Sequence, residues 1–488
     1  MESRESVRKA AGASALTALA ASRILGANDR IGIALIGCGS RGPQVASLVQ
    51  KAPGAEYRVM CDVYDDRAVE ELRKAGCDVV AAPIPRTSLD AVEIASLLRK
   101  SDVDALLLFF CTWVAEEITL ALARELMDLP MLIWALPYLD RDIPMPSPIS
   151  GFTASGSNIR RLGKPFAYMI GHVTPEKVEQ AMRALRAAAV ARKLRRARFG
   201  VVGYACPGMV DVGVDEADLQ KALGVTAVHL DLDALLKAAK AAPIEDARKV
   251  AQRLISETGG VREGTEESLA ENLRLYLGMK ELVEKNKLDA YCVRCWPELR
   301  DQHKITVCAT HSLMAQEGIS SSCEVDLPAL ITTYVLQQLA GTSAFNFDVT
   351  GYLEEEGAIQ FAHCGAADPS LAGDPKKALL RVHMRTGTGA TVEFPFKEGT
   401  VTLAKLLRPI DGRLKLFVAR GRVIPVSDGV RGSVAAVVPE PSAPAFIDKM
   451  MTEPVEHHIA LVYGDWRNEL SQFCAFTGIE YLPLASSR

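Results

Sequence analysis

The sequence lacks the features that mark a membrane-spanning or a nucleic-acid-binding chain. Beyond residue 28, no segment reaches about 18 uninterrupted apolar residues, the length that begins to suit a membrane span. A single basic run, RKLRRAR at 192–198, is interpreted as a solvated helix end that leads into a strand. Short internal repeats and low-complexity tracts are absent. The formal charge of −4 adds no attraction for polyanions, so we expect a small-molecule ligand, with no nucleic acid and no membrane as partner.

The cysteines lack the pattern of a disulfide framework. There are 11 of them, an odd number, and they lie in apolar contexts such as VMCDV, which is typical of free thiols in a reducing compartment. Cys292 and Cys295 form a C-x-x-C pair without a second pair at zinc-site spacing. A redox or metal role for this pair is therefore the less favoured interpretation.

The first 28 residues have a basic start, a small-residue apolar stretch and a polar break, the order of parts found in an export signal. Arg4 is followed by Glu5, so the adjacent arginines of a twin-arginine signal are missing. Arg23 interrupts the apolar stretch. We expect a cytoplasmic protein, with export through this degenerate twin-arginine-like leader as the alternative.

The chain has 488 residues, enough for two to four domains at about 100–200 residues per domain. After the leader (1–28), residues 29–193 alternate strand-like and helix-like segments, which predicts a first α/β domain, and residues 194–340 predict a second. Residues 341–488 hold alternating strand patterns such as RVHMRTG and ATVEFPF. The predicted fold class is α/β: two Rossmann/flavodoxin-like domains with parallel sheets, then a mostly antiparallel β-rich C-terminal domain.

The stretch GIALIGCGSRG at 32–42 has the spacing of a dinucleotide-binding turn. Gly37, Gly39 and Gly42 follow an apolar run, and Asp62 ends a second apolar run twenty residues further on. The same glycines also suit any tight corner between a strand and a helix of an α/β domain. The motif alone leaves both interpretations open.

Four acidic or imidazole side chains stand at the edges of apolar segments in the last third. They are Glu324 before an apolar helix, Asp348 inside AFNFDVT, His363 at the end of IQFAHCG and His458 in EPVEHHIALVYGD. A buried carboxylate is costly unless it is paired or bound to a metal. Taken together, carboxylates with imidazoles suit a divalent-metal site of the Mn²⁺ or Mg²⁺ kind, although each residue singly also has an ordinary structural explanation.

From about residue 76 to the end, the chain resembles the L-fucose isomerase and L-arabinose isomerase superfamily. The match is an E-x-D segment, an apolar helix and then LAGTSAFNFD, with 24 residues from Glu324 to Asp348. The resemblance makes these two acids metal ligands. It assigns the third ligand to His458, the second residue of the His-His pair, while His363 matches a ligand found only in the arabinose branch.

The resemblance implies a metal-dependent aldose–ketose isomerase that works through a cis-enediol intermediate in carbohydrate metabolism. Mn²⁺, or another divalent ion such as Mg²⁺, would polarise the sugar carbonyl, and Glu324 and Asp348 would move the protons. It also places Trp113 where the family has a sugar-stacking aromatic, and Arg41 in a loop that reaches the sugar site of a neighbouring subunit. The family forms trimers or hexamers, so a homo-oligomer is expected.

Residues 1–75 resemble a different group, the glucose–fructose oxidoreductase and inositol dehydrogenase type. Those enzymes carry Glu-Lys-Pro after the fifth strand, where this chain reads LIWALPYLD without a lysine. We therefore do not expect bound NAD(P). An NAD(P)-dependent sugar oxidoreductase and a non-catalytic sugar-binding relative remain the alternatives, the second because Pro454 replaces an asparagine of the fucose enzyme.

Overall fold

A computed structural model of the chain describes nine stretches of it: residues 31–36, 55–61, 80–81, 85–110, 113–138, 148–172, 174–408, 413–426 and 431–484. Gly37, Gly39, Gly42, Arg41 and Asp62 lie outside these residues. Within them, no helix combines the length and the apolar character that crossing a membrane requires.

Contacts divide the chain into two compact units. The N-terminal unit comprises Gly26–Arg195 and a later segment, Asn468–Ile479. The C-terminal unit comprises Arg196–Arg467 and the chain from Glu480. The N-terminal unit therefore contains a segment taken from near the end of the sequence, which no local pattern indicates.

The N-terminal unit is built on a six-stranded parallel sheet. Its strands are β1 (Ile31–Ile36), β2 (Ala55–Cys61), β3 (Val80–Ala81), β4 (Ala105–Phe110), β5 (Met131–Ala135) and β6 (Ala167–Ile170), in the order β3-β2-β1-β4-β5-β6. β4 and β5 are buried along their whole length, as expected of strands covered on both faces.

Helices accompany this sheet in the rhythm that the sequence predicts. They are α1 (Ser88–Lys100), α2 (Glu116–Glu125), α3 (Pro148–Arg161) and α4 (Pro175–Leu194), with α12 (Arg467–Thr477) supplied by the late segment. Thr87 caps α1 in a capping box with Asp90, an arrangement that satisfies the free N–H groups of the first turn.

The C-terminal unit begins with a four-stranded parallel sheet. Its strands are β7 (Arg198–Val202), β8 (Thr226–Leu230), β9 (Ala290–Val293) and β10 (Ser320–Cys323), in the order β10-β9-β7-β8. Its helices are α5 (Glu216–Leu223), α6 (Leu232–Ala241), α7 (Ile244–Glu257), α8 (Glu266–Asn286), α9 (Cys308–Gln316) and α10 (Leu327–Ala340).

A nine-stranded, mostly antiparallel sheet completes this unit. It comprises β11 (Phe345–Leu353), β12 (Ala358–His363), β13 (Leu379–Arg381), β14 (Thr391–Pro395), β15 (Gly399–Leu407), β16 (Lys415–Ile424), β17 (Ser433–Pro439), β18 (His458–Tyr463) and β19 (Glu480–Pro483). β17 pairs with β16 as well as with β12, so the strands β17-β12-β11-β18-β15-β16 close on themselves as a barrel. The helix α11 (Ala443–Thr452) connects β17 to β18.

The helix α10 links the parallel sheet to the barrel. Its residues from Leu327 to Leu339 are all buried, because it packs against β10 and also against β15 and β18. A helix that is apolar all round is stable only inside a protein. The short loop between β10 and α10 therefore lies beside the barrel strands, and this loop carries Glu324.

The structure confirms the predicted fold class, with two parallel sheets followed by a mostly antiparallel one. The three-domain division at 193 and 340 stays a prediction, since contacts place the second parallel sheet and the barrel in one compact unit. One strand prediction is wrong: in RVHMRTG the strand ends at Arg381. A turn follows, in which the Gly387 N–H donates to the carbonyl of His383 at 2.8 Å. The alternating sequence pattern of this segment therefore corresponds to a turn rather than to a paired strand.

Candidate metal centre

Four side chains predicted as metal ligands lie together in the C-terminal unit. Each of Glu324, Asp348, His363 and His458 offers one ligand atom, and these atoms all lie within 4.8 Å of one another. We name this set the acid–imidazole group. The two imidazoles are buried, whereas the two carboxylates are partly exposed, so the oxygen side of the group faces the solvent.

Barrel pairing brings three of the four together. Asp348 on β11 lies directly opposite His458 on β18, and His363 ends the neighbouring strand β12. Directly opposed residues of an antiparallel pair project from the same face. The Nε2 atom of His458 lies 3.1 Å from Asp348 Oδ1.

Glu324 reaches the same place from the loop between β10 and α10. Its backbone φ is 64°, and that of the following Val325 is 63°. Two consecutive non-glycine residues in the left-handed region are unusual, and a β-branched residue there costs about 1–2 kcal/mol. This loop brings Glu324 Oε2 to 3.0 Å from His458 Nε2, and the Trp296 indole N–H donates to Glu324 Oε1 at 3.2 Å.

His458 is the centre of the arrangement and is fully buried. Its Nδ1 donates to Asp326 Oδ2 at 2.7 Å, while Nε2 is buried and makes no hydrogen bond despite the two nearby carboxylate oxygens. A metal-binding histidine characteristically donates its other ring N–H to a carboxylate. The unpartnered Nε2 between two acids is therefore the arrangement that fits a bound cation.

The charges of the group support the same fit. Burial raises the pKa of Asp348, but His363 and His458 outweigh burial and lower that pKa to about 2. Burial likewise raises the pKa of Glu324, and the two imidazoles again bring it below its usual range. Both acids are thus anionic at neutral pH, and they favour positive charge in their midst.

The imidazoles respond in the opposite direction. Burial lowers the pKa of His363, but Asp348 and Cys364 outweigh burial and raise it to about 9. The pKa of His458 is also raised, because its contacts with Asp326, Asp348 and Glu324 overcome the cost of burial. In the absence of an ion, protons on the imidazoles supply the positive charge that the carboxylates require.

Sequence reasoning did not assign roles to several residues that surround the group. Asp326 belongs to the same E-x-D segment as Glu324, and Lys405 interrupts the apolar strand TVTLAKLL just as Asp348 interrupts AFNFDVT. That shared signal, a charge inside an apolar strand, could have identified Lys405. His457 lies outside the group: its Nδ1 donates to Asp211 at 2.6 Å, and its Nε2 is 3.7 Å from Asp348 Oδ1.

Trp113, one of the two predicted substrate contacts, is not part of this cluster. Trp113 belongs to the N-terminal unit, where its side chain is 53% exposed, which leaves a stacking surface free. Arg41 lies outside the described residues. Their roles stay predictions, as do the catalytic roles of Glu324 and Asp348.

Comparison with known proteins agrees with the resemblance found in the sequence. The L-fucose isomerase C-terminal domain family matches residues 372–483. A sulfoquinovose isomerase of Priestia aryabhattai is 26% identical over 86% of this chain and 95% of that protein. A sulfoquinovose isomerase of a Clostridium species is 28% identical over 71% of this chain and 79% of its own length.

Solved structures contribute no further argument. A probable dehydrogenase from Thermotoga maritima covers 92% of this chain and 95% of its own, at 11% identity and a TM-score of 0.20. The resemblance of residues 1–75 to oxidoreductases therefore stays a prediction. The chain is thus similar to the L-fucose isomerase family in its C-terminal part and to sulfoquinovose isomerases along most of its length.

Proposed function

We propose that this protein is a metal-dependent aldose–ketose isomerase of sugar metabolism in which the acid–imidazole group binds the metal. One observation carries the metal dependence: His458 Nε2 is buried, unpartnered and within 3.1 Å of two carboxylate oxygens. The relatives named as isomerases support the reaction class. The mixed oxygen and nitrogen ligands favour Mn²⁺, with Mg²⁺ as the alternative.

A divalent ion bound here would supply Lewis-acid polarisation of the sugar carbonyl and stabilise the developing enediolate charge. Glu324 and Asp348 are on the exposed side of the group, where a sugar can reach them. One of these acids removes the proton from the carbon next to the carbonyl. The other returns a proton to the former carbonyl carbon, and His363 and His458 would help to hold the metal.

The sugar itself is proposed from the names of the relatives. Sulfoquinovose is therefore the first substrate to test, ahead of L-fucose and L-arabinose. Trp113 is proposed to stack on the sugar ring, and Arg41 to contact the sugar in a neighbouring subunit. An Arg41→Ala variant should raise the sugar KM without any effect of added NAD.

The assembly and the compartment are proposals of the same kind. The family resemblance supports a homo-oligomer, either a trimer or a hexamer. Its mass is measured by light scattering during size-exclusion chromatography. A cytoplasmic location is supported by the seven described cysteines that are free thiols, since disulfides are rare in reducing compartments.

The test uses chelator-treated full-length protein with sulfoquinovose, L-fucose and L-arabinose, each with and without Mn²⁺. Ketose formation is followed by NMR, and NAD(H) binding by fluorescence. Conversion of one sugar only after Mn²⁺ is added supports the proposal. Sugar binding without turnover would favour a non-catalytic relative, and sugar oxidation coupled to NAD(P) reduction would favour the oxidoreductase.

A further inference from the structure

We propose that Asp326 and Lys405 are positioning residues, which fix the ring orientation and tautomer of His458 so that its Nε2 lone pair faces the metal. This inference rests on the proposed metal-dependent function. Neither residue belongs to the acid–imidazole group, and both are buried, with exposed side-chain fractions of 1% for Asp326 and 0% for Lys405.

The direction of the hydrogen bond sets the tautomer. Asp326 Oδ2 lies 2.7 Å from His458 Nδ1, and an ionised carboxylate can only accept. Nδ1 must therefore carry the hydrogen, which in the neutral ring leaves the lone pair on Nε2. That atom is the one next to Glu324 and Asp348.

Lys405 fixes the carboxylate of Asp326, which in turn orients the imidazole of His458. Its ammonium donates to the same Asp326 Oδ2 at 2.9 Å, and the other oxygen, Oδ1, accepts the N–H of Ala329 at the start of α10 at 2.7 Å. The aspartate is thus fixed by a helix N-terminus, an ammonium and an imidazole, which leaves it little freedom to turn. Removing one partner of such a buried pair leaves an uncompensated charge.

The local sequence couples the two roles. Asp326 is two residues after Glu324, so one short loop supplies both a predicted ligand and the carboxylate that orients another ligand. Lys405 lies on β15, which pairs with the β18 strand that begins at His458. The connection Lys405–Asp326–His458 therefore joins three separate segments of the chain at the metal centre.

The decisive variant is Asp326→Asn. Asparagine caps a helix as well as aspartate does, so its oxygen can keep the Ala329 N–H, but its NH₂ group then faces His458 Nδ1. To accept this NH₂ group, the imidazole must carry its lone pair on Nδ1 and its hydrogen on Nε2. The Nε2–H then points toward the position of the ion. We expect the Mn²⁺ affinity to fall by about 10- to 100-fold, the usual effect of losing such an outer partner.

The measurement is calorimetric titration of Mn²⁺ into chelator-treated full-length protein, with the melting temperature in chelator recorded beside it. Asp215→Asn is the matched control, since Asp215 is an exposed N-cap of α5 that accepts from Ala217 and Asp218. This control should bind Mn²⁺ like the wild type. If Asp326 had a purely structural role, Asp326→Asn would lower the melting temperature without lowering the Mn²⁺ affinity.

Two further variants keep the inference testable if the first does not fold. Lys405→Met removes the ammonium and keeps the length of the side chain, and the double variant Asp326→Asn with Lys405→Met leaves no unpaired charge inside. Each should bind Mn²⁺ at least about tenfold more weakly. Wild-type affinity in any folded variant overturns the inference, as does failure of all three to fold. A wild type that does not bind Mn²⁺ contradicts the proposed function instead.

Discussion

Each compact unit buries one lysine among the residues that the structure describes, and the two lysines are held in different ways. In the N-terminal unit, the Lys164 ammonium donates to the backbone carbonyls of Leu126 and Leu129, each at 2.7 Å, and of Met127 at 3.3 Å. Burial lowers the pKa of Lys164 to about 7. In the C-terminal unit, Lys405 donates to a carboxylate instead.

The difference lies in where each network of hydrogen bonds ends. The Lys164 ammonium donates to three backbone carbonyls, so its hydrogen bonds lead to no other side chain. The other network runs from Lys405 through Asp326 to His458 and ends at a nitrogen without a partner between two carboxylates. A buried charge is therefore no sign of function by itself, whereas an unpartnered imidazole nitrogen beside two carboxylates fits a cation site.

The largest expected effect is that of Asp348→Asn, which removes a negative charge from the partly exposed side of the acid–imidazole group. We expect loss of measurable Mn²⁺ binding together with a fall in turnover of about 1000-fold, the usual order for losing a general acid or base. Turnover and titration calorimetry are measured on the same preparation. Full turnover of this variant in chelator-treated buffer would contradict the metal-dependent account.

The next effect is that of pH on Mn²⁺ affinity. His363 has a pKa raised from 6.5 to about 9 in the metal-free protein, so it must release a proton before it can ligate. His458, whose pKa is also raised, must lose its extra proton too, so affinity should rise at least about tenfold per pH unit between pH 6.5 and 8.5. Titrations across this range check the slope, and a flat profile would contradict ligation by the two histidines.

The same shift affects folding stability in the opposite direction. A charged His363 stabilises the metal-free fold fully below about pH 6.5, its unfolded value, and this contribution is lost as the pH rises through about 9. Chelator-treated protein should therefore melt at a lower temperature at pH 9 than at pH 6.5. In a His363→Gln variant, this contribution to the change should disappear.

A pair of variants separates the two neighbouring histidines. His458→Asn should abolish Mn²⁺ binding, because it removes the buried Nε2. His457→Asn should leave Mn²⁺ affinity within about threefold, since a partly exposed contact contributes little and His457 is partnered by Asp211 outside the group. Titration of both variants tests the assignment, and equal losses would show that His457 is a ligand too.

The smallest expected effect on the metal comes from Lys164→Met. Its carbonyl partners would lose a buried donor, so the free energy of unfolding should fall by about 1–3 kcal/mol. Mn²⁺ affinity should not change. Denaturant unfolding and calorimetry compare this variant with Lys405→Met, and a loss of metal affinity in Lys164→Met would remove the distinction between the two networks.

The sequence predicts the parts of this molecule that local patterns encode. Strand and helix alternation gave the parallel sheets, and acids or histidines at the edges of apolar runs identified Glu324, Asp348, His363 and His458, which the structure brings together. Gly37, Gly39 and Gly42 come after a strand, β1, yet these three glycines lie outside the described residues. The expectation that NAD(P) does not bind there therefore stays a prediction.

Long-range pairing is what the sequence does not reveal. Asp326 is 79 residues from Lys405 and 132 from His458, and these contacts exist only because α10 packs against β15 and β18. The placement of α12 in the N-terminal unit is of the same kind. Such contacts depend on the arrangement of whole elements, which no pattern of neighbouring residues encodes.

The most direct test of the central claim is isomerase activity plotted against the amount of Mn²⁺ bound per chain. Chelator-treated protein is loaded in steps, the bound metal is quantified by elemental analysis, and ketose formation is measured at each step. The account predicts that activity starts near zero, rises in proportion to bound metal and saturates at one ion per chain. Full activity in metal-free protein would contradict it.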